Sequence, residues 1–257
     1  MGKVYLVGAG PGDRDLLTVK AARILRQADV VIYDRLVSAE VLAMANPDAK
    51  FIFAGKEKGE QERVQTRIHE LLLEHAPLFE TVVRLKGGDP MVFGRGAEEW
   101  AYLAPHGIEV EIVPGISSAI SVPALAGIPL TCRGVAASFA VIAGHRQSVA
   151  QENWSQYTAV DTLVILMGVD NRRQIAKNLI NAGRSIEEPV AFIERGSTDR
   201  ERVVVTKLFD VARGTVAVES PAVMVIGQVV RLRRVLRPQN ATTQQETASD
   251  VRRTTTA

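Results

Sequence analysis

The sequence contains few of the features that direct a protein to a membrane, to secretion or to a metal. Cys132 is the one cysteine among 257 residues, so the chain cannot form an internal disulfide and fits a reducing compartment. No apolar run approaches the roughly 18 residues of a membrane-spanning helix, and the N-terminus lacks a signal-peptide pattern. With four histidines and one cysteine, no closed zinc set and no metal are expected. We expect a soluble protein of the cytoplasm without membrane contacts.

A charge excess is also missing, because 31 basic residues stand against 29 acidic ones and leave a net charge of +2. This balance predicts no general attraction to nucleic acid, so an anionic ligand has to meet locally placed cations. The densest basic stretch runs from Arg231 to Arg237 and holds four arginines. A nucleic-acid patch is one interpretation, but the partial alternation over Val229–Arg233 favours a final edge strand that arginines protect from aggregation.

Short β-rich runs alternate with helical patterns along most of the chain, which is typical of an α/β protein with a largely parallel sheet. A stretch rich in Pro, Gly and Ser over residues 113–118 predicts a domain boundary. After it, two strands near residues 190 and 205 are joined by a short turn, which indicates a mixed sheet. We expect α/β domains over 1–114 and 115–237 and a disordered tail over 238–257, where Thr, Gln, Ala and Ser dominate. The predicted strands are Lys3–Val7, Val30–Tyr33, Phe51–Ala54, Thr81–Leu85, Glu109–Val113, Phe139–Ala143, Leu163–Met167, Val190–Glu194, Arg202–Val205 and Val223–Ile226.

The first predicted strand ends in the loop Gly8-Ala-Gly-Pro-Gly-Asp13, which fits three roles. A dinucleotide-binding fingerprint needs glycine where Asp13 stands, and Pro11 removes a backbone N–H that a phosphate would need. A plain tight turn is the second interpretation. A loop for an adenosyl ligand without phosphate is the third, and the loop by itself does not decide between them.

A second glycine-rich segment, Arg84-Leu-Lys-Gly-Gly-Asp-Pro-Met-Val-Phe-Gly-Arg-Gly96, is more informative. Adjacent glycines let backbone groups approach a ligand closely. Asp89 follows a predicted strand, and open α/β sheets bind ligands at the carboxyl ends of their strands. An ordinary loop would need one glycine and no fixed charge, so this segment predicts a binding site.

These two loops and four further motifs resemble the tetrapyrrole methylase family, in the family's order over residues 3–235. The further motifs are Tyr33-Asp-Arg-Leu-Val-Ser38, Val113-Pro-Gly-Ile-Ser-Ser118, Pro129-Leu-Thr-Cys-Arg-Gly134 and Gly144-His145. The first of these and the Leu-Thr-x-Arg-Gly element favour members that methylate uroporphyrinogen III. Cys132 stands where the family usually has histidine, and Glu57 where it tends to have a basic residue.

The resemblance implies two α/β domains with S-adenosylmethionine in the cleft between them. It implies two successive C-methylations that convert uroporphyrinogen III to precorrin-2, on the branch toward sirohaem and cobalamin, with S-adenosylhomocysteine as the other product. It also implies a homodimer. The cofactor contacts that it implies are Pro11, Gly87, Gly88, Asp89, Val92, Ser117, Ser118, Met167 and Gly196.

The resemblance also implies Asp34 as proton acceptor and Lys56 as proton donor. A carboxylate near a pyrrole N–H can accept its proton and so make the ring carbon more nucleophilic. Arg35, Arg133 and His145 lie in matched motifs and are candidates to bind the substrate. The alternative interpretations are a turn aspartate for Asp34 and a solvated loop lysine for Lys56.

Two other classes of function remain open from the sequence. A related methylase acting on a later corrin intermediate, on a modified histidine or on ribosomal RNA would keep the cofactor motifs but not the loop over residues 33–38. A non-enzymatic nucleotide-binding regulator would need only the glycine-rich loops.

Overall fold

Two five-stranded sheets organise the chain in a computed structural model that describes residues 2–55, 61–145 and 152–238. The strands are β1 (Lys3–Gly8), β2 (Val30–Tyr33), β3 (Lys50–Phe53), β4 (Thr81–Lys86), β5 (Glu109–Val113), β6 (Phe139–Ala143), β7 (Thr162–Leu166), β8 (Pro189–Glu194), β9 (Arg202–Lys207) and β10 (Ala222–Ile226). The α-helices are α1 (Val19–Arg26), α2 (Ala39–Leu42), α3 (Gln61–His75), α4 (Gly96–Leu103), α5 (Ser118–Leu125), α6 (Arg172–Asn181), α7 (Leu208–Arg213) and α8 (Arg233–Leu236).

The first sheet is parallel throughout, with the strand order β3-β2-β4-β1-β5. Its central strands are buried on both faces, which explains why they read as nearly continuous apolar runs. Helix α1 begins at the cap Thr18, whose hydroxyl accepts from the Ala21 N–H at 3.1 Å. Helices α1 and α2 cover one face of the sheet, and α3 and α4 cover the other.

The second sheet is mixed, as the sequence predicts, with the order β6-β7-β10-β8-β9. Strand β6 runs parallel to β7, while β10 is antiparallel to both β7 and β8. As a result β6, β7 and β8 all end at the same edge. Helices α6 and α7 pack on one face, and α5 packs on the other with the 3₁₀ turn Gln228–Leu232.

The predicted α/β fold is confirmed, but the predicted edge strand Val229–Arg233 is wrong. Strand β10 ends at Ile226, and the following Gly227, with a φ of 146°, turns the chain into a 3₁₀ turn and then into α8. Val229 and Val230 are both buried although they are adjacent, which a strand with one exposed face does not allow. The arginines instead reach α5, since Arg237 donates to the carbonyl of Leu125 at 2.9 Å.

The two sheets draw their strands from residues 3–113 and 139–226, and α5 packs on the second sheet. We therefore propose the division into domains over 1–114 and 115–237. The tail predicted over 238–257 lies outside the described residues from position 239 onward. Within the described ranges, no helix is both long and apolar enough to cross a membrane.

Candidate active site

The carboxyl edge of the first sheet provides a crevice at the junction of β1 and β4. These strands are neighbours, yet the chain leaves β1 towards α1 on one face and β4 towards α4 on the other. Loops that diverge in this way open the space in which α/β sheets bind their ligands. Both glycine-rich loops lie at this edge.

Three glycines bring the loops after β1, β4 and β5 into backbone contact, and we call this arrangement the glycine cradle (Gly8, Gly88 and Gly115). A Cβ atom added to Gly8 would lie 2.5 Å from the Cα of Gly115 and 2.6 Å from the carbonyl oxygen of Gly88. The Gly88 N–H donates to the carbonyl of Gly10 at 2.7 Å, which ties the two glycine-rich loops together. The cradle therefore exposes backbone rather than side chains to a ligand.

Asp89 connects the loops that follow β4 and β5. Its Oδ1 accepts from the Met91 N–H at 2.8 Å, and its Oδ2 accepts from the Gly115 N–H at 3.1 Å. The half-buried carboxylate thus holds the cradle in place. Each carboxylate oxygen can accept a second hydrogen bond, so Asp89 can also accept one from the cofactor. That direct contact stays a prediction.

The N-terminus of α5 points at the cradle. Ser117 is the N-cap, and its hydroxyl accepts from the Ala119 N–H at 3.3 Å. The Ser118 nitrogen lies 3.7 Å from a Cβ position built on Gly88. These two serines therefore lie beside Gly88 and Asp89. The sequence analysis predicts all four residues as contacts of the same cofactor.

The second sheet contributes the loops after β7 and β8. Met167, Arg195 and Ser197 have left-handed φ values of 57°, 46° and 66°. With Phe93 and Arg95 after β4, they are the only non-glycine residues with positive φ in the described part of the chain. Such backbone strain collects at functional sites and here marks the loops that border the crevice.

The edges of the two sheets face each other across the crevice. The Asp13 N–H donates to the Ser197 hydroxyl at 3.2 Å, which joins the loop after β1 to the loop after β8. A Cβ on Gly196 would lie 2.9 Å from Cγ2 of Val122 on α5, so this position needs glycine. The predicted Gly196 is thereby placed at the crevice, whereas Ser197 has no motif that would have identified it.

Asp34 follows β2 and lies next to the second glycine-rich loop. Its Oδ1 accepts from the Leu36 N–H at 3.0 Å, and its Oδ2 lies 3.6 Å from the Arg84 guanidinium. The Leu36 Cβ approaches a Cβ position built on Gly87 to 2.9 Å, so the two loops are in contact. One oxygen of Asp34 therefore accepts a hydrogen bond from the turn, and the other lies next to Arg84.

The other predicted site residues have varied surroundings. Val92 and Met167 are 40% and 51% exposed and present apolar side chains. His145 is exposed. It lies beside the loop after β7, since the N–H of the preceding Gly144 donates to the Leu166 carbonyl. Arg35 is exposed next to Asp34, and Arg133 is exposed in a turn between α5 and β6. Lys56 lies outside the described residues.

A buried group of charges lies beneath Asp34 and was missed from the sequence. Glu99 on α4 is fully buried, and its Oε1 accepts from Lys86 at 2.5 Å and from Arg84 at 3.3 Å. Burial, and then the charge of Arg84, lower the pKa of Lys86 to about 8, while Glu99 opposes this shift. The available signal was that Glu99 falls between Gly96 and Leu103 on the buried face of α4.

Among residues 2–55, 61–145 and 152–238, no group of three or more His, Cys, Asp or Glu side chains is arranged to hold a metal ion. The crevice itself contains a backbone cradle, strained loops and a carboxylate next to a guanidinium. Those are the parts of a binding site for an organic ligand.

The family model described as Tetrapyrrole (Corrin/Porphyrin) Methylases matches residues 3–212. Uroporphyrinogen-III C-methyltransferase of Methanocaldococcus jannaschii is 46% identical over 90% of this chain and 98% of its own length. Siroheme synthase 2 of Aeromonas hydrophila is 47% identical over 92% of this chain but 51% of its own length. The crystal structure of uroporphyrin-III C-methyl transferase from Thermus thermophilus complexed with S-adenyl homocysteine is 48% identical, covers 90% of this chain and 94% of its own, and has a TM-score of 0.80.

The two sheets and the crevice between their edges define an α/β methylase built on two sheets. The chain belongs to the tetrapyrrole methylase family.

Proposed function

We propose that this protein is an S-adenosylmethionine-dependent C-methyltransferase that converts uroporphyrinogen III to precorrin-2 by two successive methylations. The observation that carries the proposal is the glycine cradle with Asp34 beside it, in a chain nearly half identical to relatives of that name. Precorrin-2 leads toward sirohaem and cobalamin, and the similarity to a siroheme synthase supports the first of these.

The crevice suits S-adenosylmethionine, which supplies a methyl group already activated on a sulfonium. The cradle and the N-terminus of α5 offer backbone groups to the polar ends of the ligand, and Val92 and Met167 offer apolar surface to its adenosyl part. The ligand carries no phosphate, so it does not need the backbone N–H that the proline removes from the first loop. The residues that would hold it are Pro11, Gly87, Gly88, Asp89, Val92, Ser117, Ser118, Met167 and Gly196.

In the proposed reaction Asp34 accepts the pyrrole N–H proton. Its Oδ1 is fixed by the turn, so Oδ2 is the oxygen that can receive the proton. Its side chain is 27% exposed, which lets the proton pass on to solvent before the second methylation. Lys56 would act as proton donor. Since the methyl group is already activated, positioning of the pyrrole carbon supplies much of the rate.

Recognition of the substrate carboxylates falls to local cations, because the net charge of the chain is only +2. Arg35 and Arg133 are exposed guanidinium groups and His145 is an exposed imidazole in the matched loops.

We further propose a cytoplasmic homodimer. Sedimentation equilibrium tests the dimer, and cell fractionation tests the location.

The proposal is tested by mixing the purified protein with uroporphyrinogen III and labelled S-adenosylmethionine under anaerobic conditions. Precorrin-2 carrying two labelled methyl groups is the expected product. A protein that methylates only a later corrin intermediate would support the rival methylase. Nucleotide binding without methyl transfer to any tetrapyrrole would support the regulator and end the proposal.

A further inference from the structure

The buried charges of Arg84, Lys86 and Glu99 lie beneath the crevice and touch one of its residues. Each nitrogen of the Arg84 guanidinium has its own partner. Nε donates to Glu99, NH1 donates to the carbonyls of Leu85 at 3.1 Å and Ile32 at 3.4 Å, and NH2 lies 3.6 Å from Asp34. A planar group held at three points cannot rotate, so Asp34 faces a fixed positive charge.

Stability alone does not account for this arrangement. Glu99 is withdrawn from water, and its Oε2 has no hydrogen-bond partner among the described residues. Buried ion pairs of this kind are often replaced by apolar residues without loss of stability. Glu99 shares the Arg84 guanidinium that would otherwise pair with Asp34 alone, so the buried charges are connected to Asp34 through Arg84.

We propose that Glu99 and Lys86 are positioning residues for the reaction: Glu99 orients and neutralises the Arg84 guanidinium against Asp34, and Lys86 balances the charge of Glu99. This inference rests on the proposed function of Asp34. Neither residue contacts the crevice itself, since Lys86 is 3% exposed and Glu99 is fully buried. They act through Arg84.

The position of Lys86 makes the arrangement depend on pH. The charged groups that act on Lys86 are Arg84 on its own strand, Glu99 on α4 and Asp34 after β2, while His69 on α3 and the exposed pair Arg95 and Glu98 lie nearby. Burial lowers the pKa of Lys86 to about 8. Above that pH Lys86 loses its charge, so Glu99 keeps Arg84 as a charged partner and the Gln65 amide as a neutral donor, and methyl transfer falls.

The first test is Glu99→Gln, which keeps the shape and removes the charge. Turnover should fall about 10- to 100-fold, the loss expected from misplacing a reacting group. The affinity for S-adenosylmethionine should stay near the wild-type value, and the basic limb of the pH–rate profile should move to lower pH because Lys86 loses its stabilising partner. The matched control is Glu188→Gln, which removes another buried carboxylate paired with an arginine, Arg184, in the loop between α6 and β8.

The control should lower the melting temperature without changing the pH profile. If the profile of Glu99→Gln overlays that of the wild type, or if both variants lose turnover equally, Glu99 is structural and the proposal is wrong.

The second variant is Lys86→Arg, whose charge persists to high pH. It should remove the basic limb near pH 8, and retention of that limb would assign it to another group and overturn the role of Lys86.

A readout that does not need turnover separates this inference from the proposed function. NMR of ¹³Cε-labelled lysine should show Lys86 titrating with a midpoint of about 8 in the wild type and lower in Glu99→Gln. An ordinary midpoint, or one that Glu99→Gln does not move, overturns the pairing. Absence of methyl transfer in the wild type refutes the proposed function, and the NMR titration then still decides whether Glu99 and Lys86 are coupled.

Discussion

Removal of the Asp89 carboxylate should loosen the crevice in graded steps. The aspartate accepts two backbone hydrogen bonds, from Met91 and from Gly115. Asparagine retains one accepting oxygen and places an NH₂ group against the other donor, and alanine retains neither. A hydrogen bond to a charged group contributes about 1.5–3 kcal/mol, and the lower value suits a half-buried site.

From these contacts we expect Asp89→Asn to cost about 1.5 kcal/mol of unfolding free energy and Asp89→Ala about 3 kcal/mol. In a chain of this length each kcal/mol lowers the melting temperature by about 2–4 °C, so the alanine variant should melt about 6–12 °C lower. Calorimetry on the folded variants gives the affinity for S-adenosylmethionine, which should weaken in the same order because the cradle opens.

The control is alanine at the exposed Asp48, which should change neither quantity. An Asp89→Ala protein that melts like the wild type would show that the two backbone bonds do not hold the loops. Loss of stability with unchanged affinity would show that Asp89 supports the fold but not the ligand.

Three further outcomes are expected. Asp34→Asn should cut turnover by about 10²–10⁴-fold, because an amide cannot accept the proton, while cofactor affinity measured by calorimetry stays near wild type; normal turnover would reduce Asp34 to a turn residue. The KM for uroporphyrinogen should rise with ionic strength, and less steeply in Arg35→Ala, while the Kd of S-adenosylmethionine changes little; a flat KM would rule out recognition by arginines. Bidentate contact with Arg202 lowers the pKa of Glu194 below its ordinary value of 4.5. The ion pair therefore contributes fully to the free energy of unfolding above pH 4.5, and this contribution is lost as the pH falls through the lowered pKa. Urea titrations should therefore show Arg202→Met destabilised at neutral pH, with the gap to wild type closing in acid, and Arg200→Met unchanged; a gap independent of pH would contradict this.

The sequence predicted the sheets well because most of their strands are short apolar runs bounded by breakers. The bounds of Val30–Tyr33, Glu109–Val113 and Phe139–Ala143 agree with the structure. The error at Val229–Arg233 arose because a short run of Val, Arg and Leu has the same pattern in an edge strand as in a 3₁₀ turn. Only the packing of Val229 and Val230 against the second sheet decides between them.

The candidate site could be located from the sequence but not assembled. The motifs place Asp89 and Ser117 at loop positions, yet the bond from Gly115 to Asp89 and the bond from Asp13 to Ser197 join residues that are 26 and 184 positions apart. No local pattern encodes such contacts. Glu99 was missed for the same reason, since its partners lie on a strand that precedes it by a whole loop.

The glycine cradle also indicates where the enzyme could be redesigned. Its loops leave less room than one methyl group, so any substitution at Gly8 or Gly115 shifts backbone rather than side chains. New substrate preferences therefore have to come from the rim. There Met91 and Phe93 are 48% and 46% exposed and lie outside the predicted cofactor contacts, so they can change size without disturbing the glycine cradle. A library confined to these rim positions should yield folded proteins with altered specificity, whereas one that includes the cradle should yield mostly inactive ones.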